Sequence, residues 1–266
     1  MKGGRAAWFA CGAARPPSRR RGRECTWAQA GPQLTAKAQP RSGQTRRVDA
    51  ENGPSNYHQV RLEQLTPDTA YVYRVKGSAG WSEWHQFRTA RQTFAPFTFL
   101  YLGDTQNDIL AVASRTIRQA LRSVARPALV VHAGDLVASR DELAHDDEWG
   151  EWNQAGGWAY AAIPQLVAAG NHEYIDTLLA DGSESRTLGA HFPAQFALPR
   201  NGAEGVADTS YVSDYQGVRF VVLDGTSALD LGTLENQTRW LENALKTSQA
   251  TWNVVVMHQP IYTCAR

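Results

Sequence analysis

Four apolar stretches of this chain run directly into polar residues that bear oxygen or nitrogen. "FTFLYLGD" ends at Asp104 and "ALVVHAGD" at Asp135. "IPQLVAAGNHE" ends at Asn171, His172 and Glu173, and "TWNVVVMH" ends at His258. A short continuous apolar run marks a strand buried on both faces, and such strands belong to sheets covered by helices. Helical spacing fills the gaps. Ile109, Val112, Ala113, Ile117, Ala120, Leu121 and Val124 recur at near-helical intervals after the first run, and "TLENQTRWLENALKTS" is amphipathic before the last. Apolar strands alternating with helices predict an α/β domain. Ligands of such sheets collect at the carboxyl ends of the strands, which makes the four polar termini candidates for one shared site.

Upstream the pattern differs. "HQVRL" puts Val60 and Leu62 on one face, and "AYVYRV" puts Tyr71, Tyr73 and Val75 on one face at period two. Pro67 and Asp68 supply a turn between them, and "WSEWHQFRT" reads as a third strand. Residues 46–92 are therefore expected to form a small all-β unit. Residues 1–45 are expected to be irregular. They include "ARPPSRRRGREC", which has no apolar periodicity and too little apolar surface to order itself. Residues 1–50 hold eleven Lys/Arg against two Asp/Glu, and the remainder sixteen against twenty-four. The basic start is read as a disordered leader rather than a nucleic-acid arm, because no aromatic residues interleave the arginines. "MKGGR" followed by "AAWFACGAA" carries only a weak signal-peptide pattern. No stretch approaches the ~18 consecutive apolar residues of a membrane span. Cys11, Cys25 and Cys264 form neither a metal-binding pair nor an even disulfide framework.

The polar termini are separated by 31, 36 and 87 residues (Asp104 to Asp135, Asp135 to Asn171, Asn171 to His258), and each of the first two gaps accommodates a crossover helix. Two aspartates sharing one pocket are costly to ionise together without a cation. Two metal ions bridged by one carboxylate resolve that cost. An Asn carbonyl and a His nitrogen beside carboxylates suit Zn, Fe or Mn. Taken alone, Asp104 could equally cap the following helix, and His258 would more often be a core histidine. The glycines before Asp104, Asp135 and Asn171 free the backbone where each strand must turn.

"GDTQ", "AGDLV", "GNHE" and "VVVMH", in that order on successive strands, resemble the calcineurin-like metallophosphoesterase superfamily. "LEQLTPDTAYVYRV" is similar to the tyrosine-corner region of a fibronectin type III-like domain and points to the purple acid phosphatase-like branch. The resemblance covers residues 95–266 and implies a double β-sandwich flanked by helices. It further implies hydrolysis of small phosphate esters, acid phosphatase-like, by metal-bound hydroxide at a site with two divalent or trivalent ions. Asp104 would bind the first metal, Asp135 would bridge, and Asn171 and His258 would bind the second. His172 would contact phosphate and serve as general acid, with Glu173 as its electrostatic partner. A secreted or periplasmic setting is implied as well.

Two positions depart from the family pattern. Its purple members carry a tyrosine three residues after the second aspartate, where this chain has Ala138. A histidine often stands two residues after the first aspartate, where this chain has Gln106, a poorer ligand. The superfamily's closing Gly-His-x-His motif is not found, so the catalytic domain is expected to be incomplete at its C-terminus. The alternatives are a phosphodiesterase or nucleotidase on the same site, or an inactive fragment or pseudoenzyme acting as a binding module. The acidic, tryptophan-rich stretch "DELAHDDEWGEWNQAGGW" is expected to form a solvated helix docked through Trp149 and Trp152, with a substrate-facing lid as the minority reading.

Overall fold

The computed structural model describes residues 7–14, 24–49, 53–77, 80–140 and 145–262. The N-terminal part is a pair of sheets. One has the order β1 (Ala7–Ala14), β5 (Ser55–Leu62), β4 (Gln44–Val48). The other has the order β3 (Gln39–Ser42), β2 (Glu24–Gln29), β6 (Ala70–Gly77), β7 (Gly80–Trp81), with β8 (His85–Arg88) also pairing β6. Residues from both sheets meet in one core: Val60 and Leu62 from the first, Cys25, Tyr71, Tyr73 and Phe87 from the second. The expected tyrosine corner is present, with the Thr66 backbone N–H donating to Tyr71 Oη at 2.8 Å.

This corrects the reading of residues 1–45 as irregular. Four strands and the short helix α1 (Leu34–Lys37) draw on residues 7–48. The reason is tertiary. β2 is ordered by pairing with β6, which places Trp27 opposite Tyr73, and β4 by pairing with β5. β3 is exposed along its whole length, so no burial alternation marks it. Much of the arginine-rich run, residues 15–23, lies outside the described residues.

The second part holds two three-stranded sheets. β9 (Phe99–Leu102), β10 (Leu129–His132) and β11 (Gln165–Val167) are parallel, with β10 central. β14 (Tyr211–Tyr215) pairs antiparallel with β15 (Val218–Val222), which pairs parallel with β16 (Trp252–Val256). Leu129 and Val131 of the first sheet meet Phe220, Val222 and Val256 of the second, so the sheets pack face to face. The other side of the first sheet is covered by helices. A π-type turn (Ile109–Ala113) runs into α2 (Ser114–Ser123), followed by α3 (His145–Ala162), which is broken at Gly157, and α4 (His191–Gln195). Ile109, Ile117, Trp149, Trp152 and Phe192 fill that layer. The docking of Trp149 and Trp152 is as the sequence predicts: they are 1% and 2% exposed. The hairpin β12 (Tyr174–Leu178) and β13 (Glu184–Leu188) follows the first sheet. α5 (Gly225–Asp230) and α6 (Leu234–Lys246) separate β15 from β16. No helix among the described residues is long and apolar enough to cross a membrane.

Polar contacts of two tyrosines help tie the N-terminal sheets to the second part. Tyr57 Oη lies 2.7 Å from His191 Nδ1, and Tyr73 Oη donates to the Ala161 carbonyl at 2.6 Å.

His132, at the end of β10, is fully buried between Trp152 and Tyr160, with Nε2 2.7 Å from Gln165 Oε1. Burial drives its pKa from 6.5 down to about 4, against the hydrogen bond to Gln165. Nε2–H therefore donates to Gln165, and the ring is neutral at pH 7. Between those two values the unfolded chain takes up a proton that the folded chain refuses. This contribution to stability is complete above about pH 6.5 and is lost as pH falls toward about 4, by roughly 3 kcal/mol. His132→Phe should flatten urea-derived stability against pH in that window. An unchanged slope would mean that His132 is not held neutral.

Candidate metal centre

Register brings the strand ends together. Leu102 pairs with His132, and His132 pairs with Val167, so β9, β10 and β11 finish level. Asp104, Asp135 and Asn171 lie two to four residues past those pairs, and His258 lies two past the end of β16 in the facing sheet. Asp104 and Asp135 both take left-handed backbone, φ 51° and 54°. That conformation is uncommon for residues other than glycine and concentrates at functional sites.

Close approach of the loops depends on glycine at one position above all. A Cβ on Gly170 would stand 2.1 Å from Asp135 Oδ1 and 2.7 Å from the Asp135 nitrogen. The glycine there lets two loops of the site touch each other.

One ligand atom each from Asp104, Asp135 and His258 lies within 4.8 Å of the others. His258 Nδ1–H donates to the Ala133 carbonyl at 2.9 Å, which turns Nε2 toward Asp135 Oδ2 at 3.2 Å and Asn171 Oδ1 at 3.1 Å. Burial works to lower the His258 pKa, but the hydrogen bond and charge of Asp135 outweigh it and push it up to about 9. Burial likewise works to raise Asp135, and His258 with the His172 backbone N–H overcomes it and holds the carboxyl below its ordinary value. Nε2 thus sits between oxygen acceptors at a point that favours positive charge. Gln106 Oε1 and Thr105 Oγ1, next to Asp104 in the chain, are buried with no hydrogen-bond partner. An oxygen-rich donor set with one imidazole and an orphaned amide oxygen nearby fits a hard or borderline metal.

His172 donates its backbone N–H to Asp135 Oδ1 at 2.9 Å. Its ring Nδ1 lies 2.5 Å from the Ala138 carbonyl, which can only accept, so Nδ1 carries a proton. Nε2 is the nitrogen left facing the site, 3.9 Å from Asp135 Oδ2.

Glu173 does not partner His172 as the sequence reading had it. It is 1% exposed and points beneath the site. One carboxylate oxygen accepts from the Asp135 and Gly170 backbone N–H groups at 2.9 and 2.6 Å, and the other from Leu136 at 2.7 Å. It clasps the second and third loops together. Burial pushes its carboxyl up to about 7 against these three donors. Glu148 of α3 was missed from sequence. Its Oε2 accepts from the backbone N–H groups of Ala138 and Ser139 at 3.0 and 2.8 Å. Within an acidic helix, nothing in the pattern marks the one carboxylate that turns inward.

Residues 97–266 match the family described as calcineurin-like phosphoesterase, and residues 15–89 match the purple acid phosphatase N-terminal domain. The chain is 26% identical over 230 residues to a protein named "Probable inactive purple acid phosphatase 24" of Arabidopsis thaliana, covering 77% of this chain and 36% of that one. It is 25% identical over 261 residues to "Acid phosphatase type 7" of Mus musculus, covering 89% and 55%. A purple acid phosphatase from yellow lupin seeds superposes with a TM-score of 0.67 at 18% identity, covering 88% of this chain and 45% of that chain. The chain therefore spans between about a third and a little over half of these relatives.

Glu173→Gln replaces one acceptor oxygen by an amide that can only donate, so at least one buried N–H loses its partner. Unfolding free energy from urea titration should fall by about 1–3 kcal/mol. Wild-type stability in this variant would show that the clasp carries no load.

Proposed function

Since the chain belongs to the calcineurin-like phosphoesterase family, we propose that its site hydrolyses phosphate monoesters with two bound metal ions. The observation that carries this reading is the convergence of Asp104, Asp135 and His258 ligand atoms within 4.8 Å, with Asn171 Oδ1 beside His258 Nε2. In this reading Asp104 and Asp135 would hold the first ion, and Asp135, Asn171 and His258 would hold the second, whether the metals are Fe, Zn or Mn. Bound there, the ions supply Lewis acidity, which activates water and neutralises charge on phosphoryl oxygens.

The chain's own residues do the rest. Asp135 is oriented from three sides: its N–H by Glu173, Oδ1 by the His172 backbone, Oδ2 by His258. His258 is fixed in rotation by the Ala133 carbonyl. Such outer hydrogen bonds set ligand direction and commonly matter 10- to 100-fold. With Nδ1–H committed to the Ala138 carbonyl, Nε2 of His172 is the nitrogen that can take up a second proton, and in that imidazolium form it is placed to hand the proton to the departing alkoxide. The substrate is a small phosphate ester, and monoesters are the favoured class by likeness to proteins named acid phosphatases.

A second reading is a phosphate-binding module without turnover. Gln106 and Ala138 stand where stronger ligands occur in the family pattern, and two relatives carry the words "Probable inactive" in their names.

The two readings separate in an assay of phosphate mono- and diesters with metal content measured in parallel. Hydrolysis should require metal and disappear on chelation, and Asp135→Asn should lower turnover by more than about 100-fold, since a direct ligand matters more than its supports. Full turnover in protein shown to be metal-free would refute the metal mechanism. Binding of inorganic phosphate without turnover would favour the second reading.

Iron loading should give no intense tyrosinate band in the visible range, because Ala138 offers no phenol. Such a band would show that another tyrosine reaches the ion.

A further inference from the structure

Three links run from α3 to the reactive face of the site. Glu148 Oε2 takes two consecutive backbone N–H groups, those of Ala138 and Ser139. The Ala138 carbonyl, on the same residue, takes the proton of His172 Nδ1 at 2.5 Å. His172 Nε2 is then the ring nitrogen on the Asp135 side. Each of the three hydrogen bonds has one chemically possible direction, from a nitrogen to an oxygen that can only accept.

The helix end of this chain of bonds is rigid. Glu148 precedes Trp149, which is 1% exposed and packs edge-on against Trp152 and Phe196. Trp149 therefore fixes the rotation of α3, and the neighbouring carboxylate is held against the loop. The loop is also held on either side, by the fully buried Leu136 and Val137 and by the Asp176 backbone N–H donating to the Arg140 carbonyl at 3.1 Å, while Ala138 itself has only a methyl side chain. Its backbone is held where Glu148 receives it.

We infer that Glu148 is a positioning residue: by fixing the Ala138–Ser139 backbone it aims the Ala138 carbonyl at His172 and so selects the ring tautomer with the proton on Nδ1. The identity of the neutral tautomer is set by the hydrogen bond that the other nitrogen makes. With Nδ1–H committed to the loop, Nε2 is the only nitrogen that can exchange a proton with substrate. Without Glu148 the Ala138 and Ser139 N–H groups lose this acceptor, the Ala138 carbonyl is less firmly aimed, and the imidazole can place its proton on either nitrogen. Half-wrong tautomers lower turnover without changing the residues that would hold metal. The inference rests on the phosphoesterase reading for its catalytic consequence but not for its geometry.

The test uses the whole chain labelled with ¹⁵N-histidine, in wild type, Glu148→Ala and Glu148→Gln. Long-range ¹H–¹⁵N spectra read the His172 tautomer directly, with the resonance assigned by its loss in His172→Asn. Wild type should show His172 protonated on Nδ1. Glu148→Ala should show a mixture of tautomers, and Glu148→Gln, which keeps one acceptor oxygen, should lie between. In the metal-loaded protein, kcat for an aryl phosphate should fall roughly tenfold or more in Glu148→Ala with metal content unchanged. An unaltered His172 tautomer in a folded Glu148→Ala protein overturns the inference. If that variant does not fold, a wild-type tautomer pattern together with wild-type kcat in Glu148→Gln overturns it equally. A tautomer shift in a protein whose wild type hydrolyses nothing keeps the positioning role and removes the proposed function. Normal hydrolysis with no tautomer shift does the reverse.

Discussion

The structure turns on Asp135, a carboxylate 3% exposed at the meeting of three loops. Removing such a charge from water costs several kcal/mol unless it is paired and hydrogen-bonded. Here the compensation comes from the His172 backbone N–H and the His258 ring, while Glu173 holds the Asp135 backbone from below. Asp104 nevertheless brings a second carboxylate within 4.8 Å of the Asp135 and His258 ligand atoms, and the charge of Asp135 adds to burial in raising Glu173. A cation at the centre resolves that excess, which is why the donor set reads as a metal site rather than as a core ion pair.

Geometry follows from the same demand. The left-handed backbone at Asp135 is tolerated because Glu173, the His172 N–H and His258 hold the residue from three sides. Gly170 has no side chain because any Cβ would displace the Asp135 carboxylate. Glu148 and Glu173 act on backbone N–H groups rather than on side chains, so the loops carrying the reactive residues are fixed from beneath while their upper faces stay available. The N-terminal sheets reach the second part through Tyr57 and Tyr73, away from the four polar strand ends.

Much of this was legible in the chain before any coordinates. Runs such as "ALVVHAGD" announced buried parallel strands, and their polar ends announced a site, because parallel pairing forces those ends to one edge of a sheet. The tyrosine corner was readable from Leu65 and Tyr71. β2 to β4 were not, since their order comes from pairing with β5 and β6 and not from local pattern. Glu173 was placed at the site with the wrong neighbour: its position beside His172 in sequence says nothing of the inward rotation that gives it three backbone donors. Glu148 was invisible for a related reason, being one acid among several in an acidic stretch of helix.

Anomalous diffraction from crystals soaked in Mn or Zn tests the metal assignment most directly. A peak should stand about 2.0–2.2 Å from an Asp135 oxygen and from His258 Nε2, and it should vanish in Asp135→Asn. No density between Asp104, Asp135, Asn171 and His258 at saturating metal, or a peak bound elsewhere and indifferent to Asp135→Asn, would contradict the assignment.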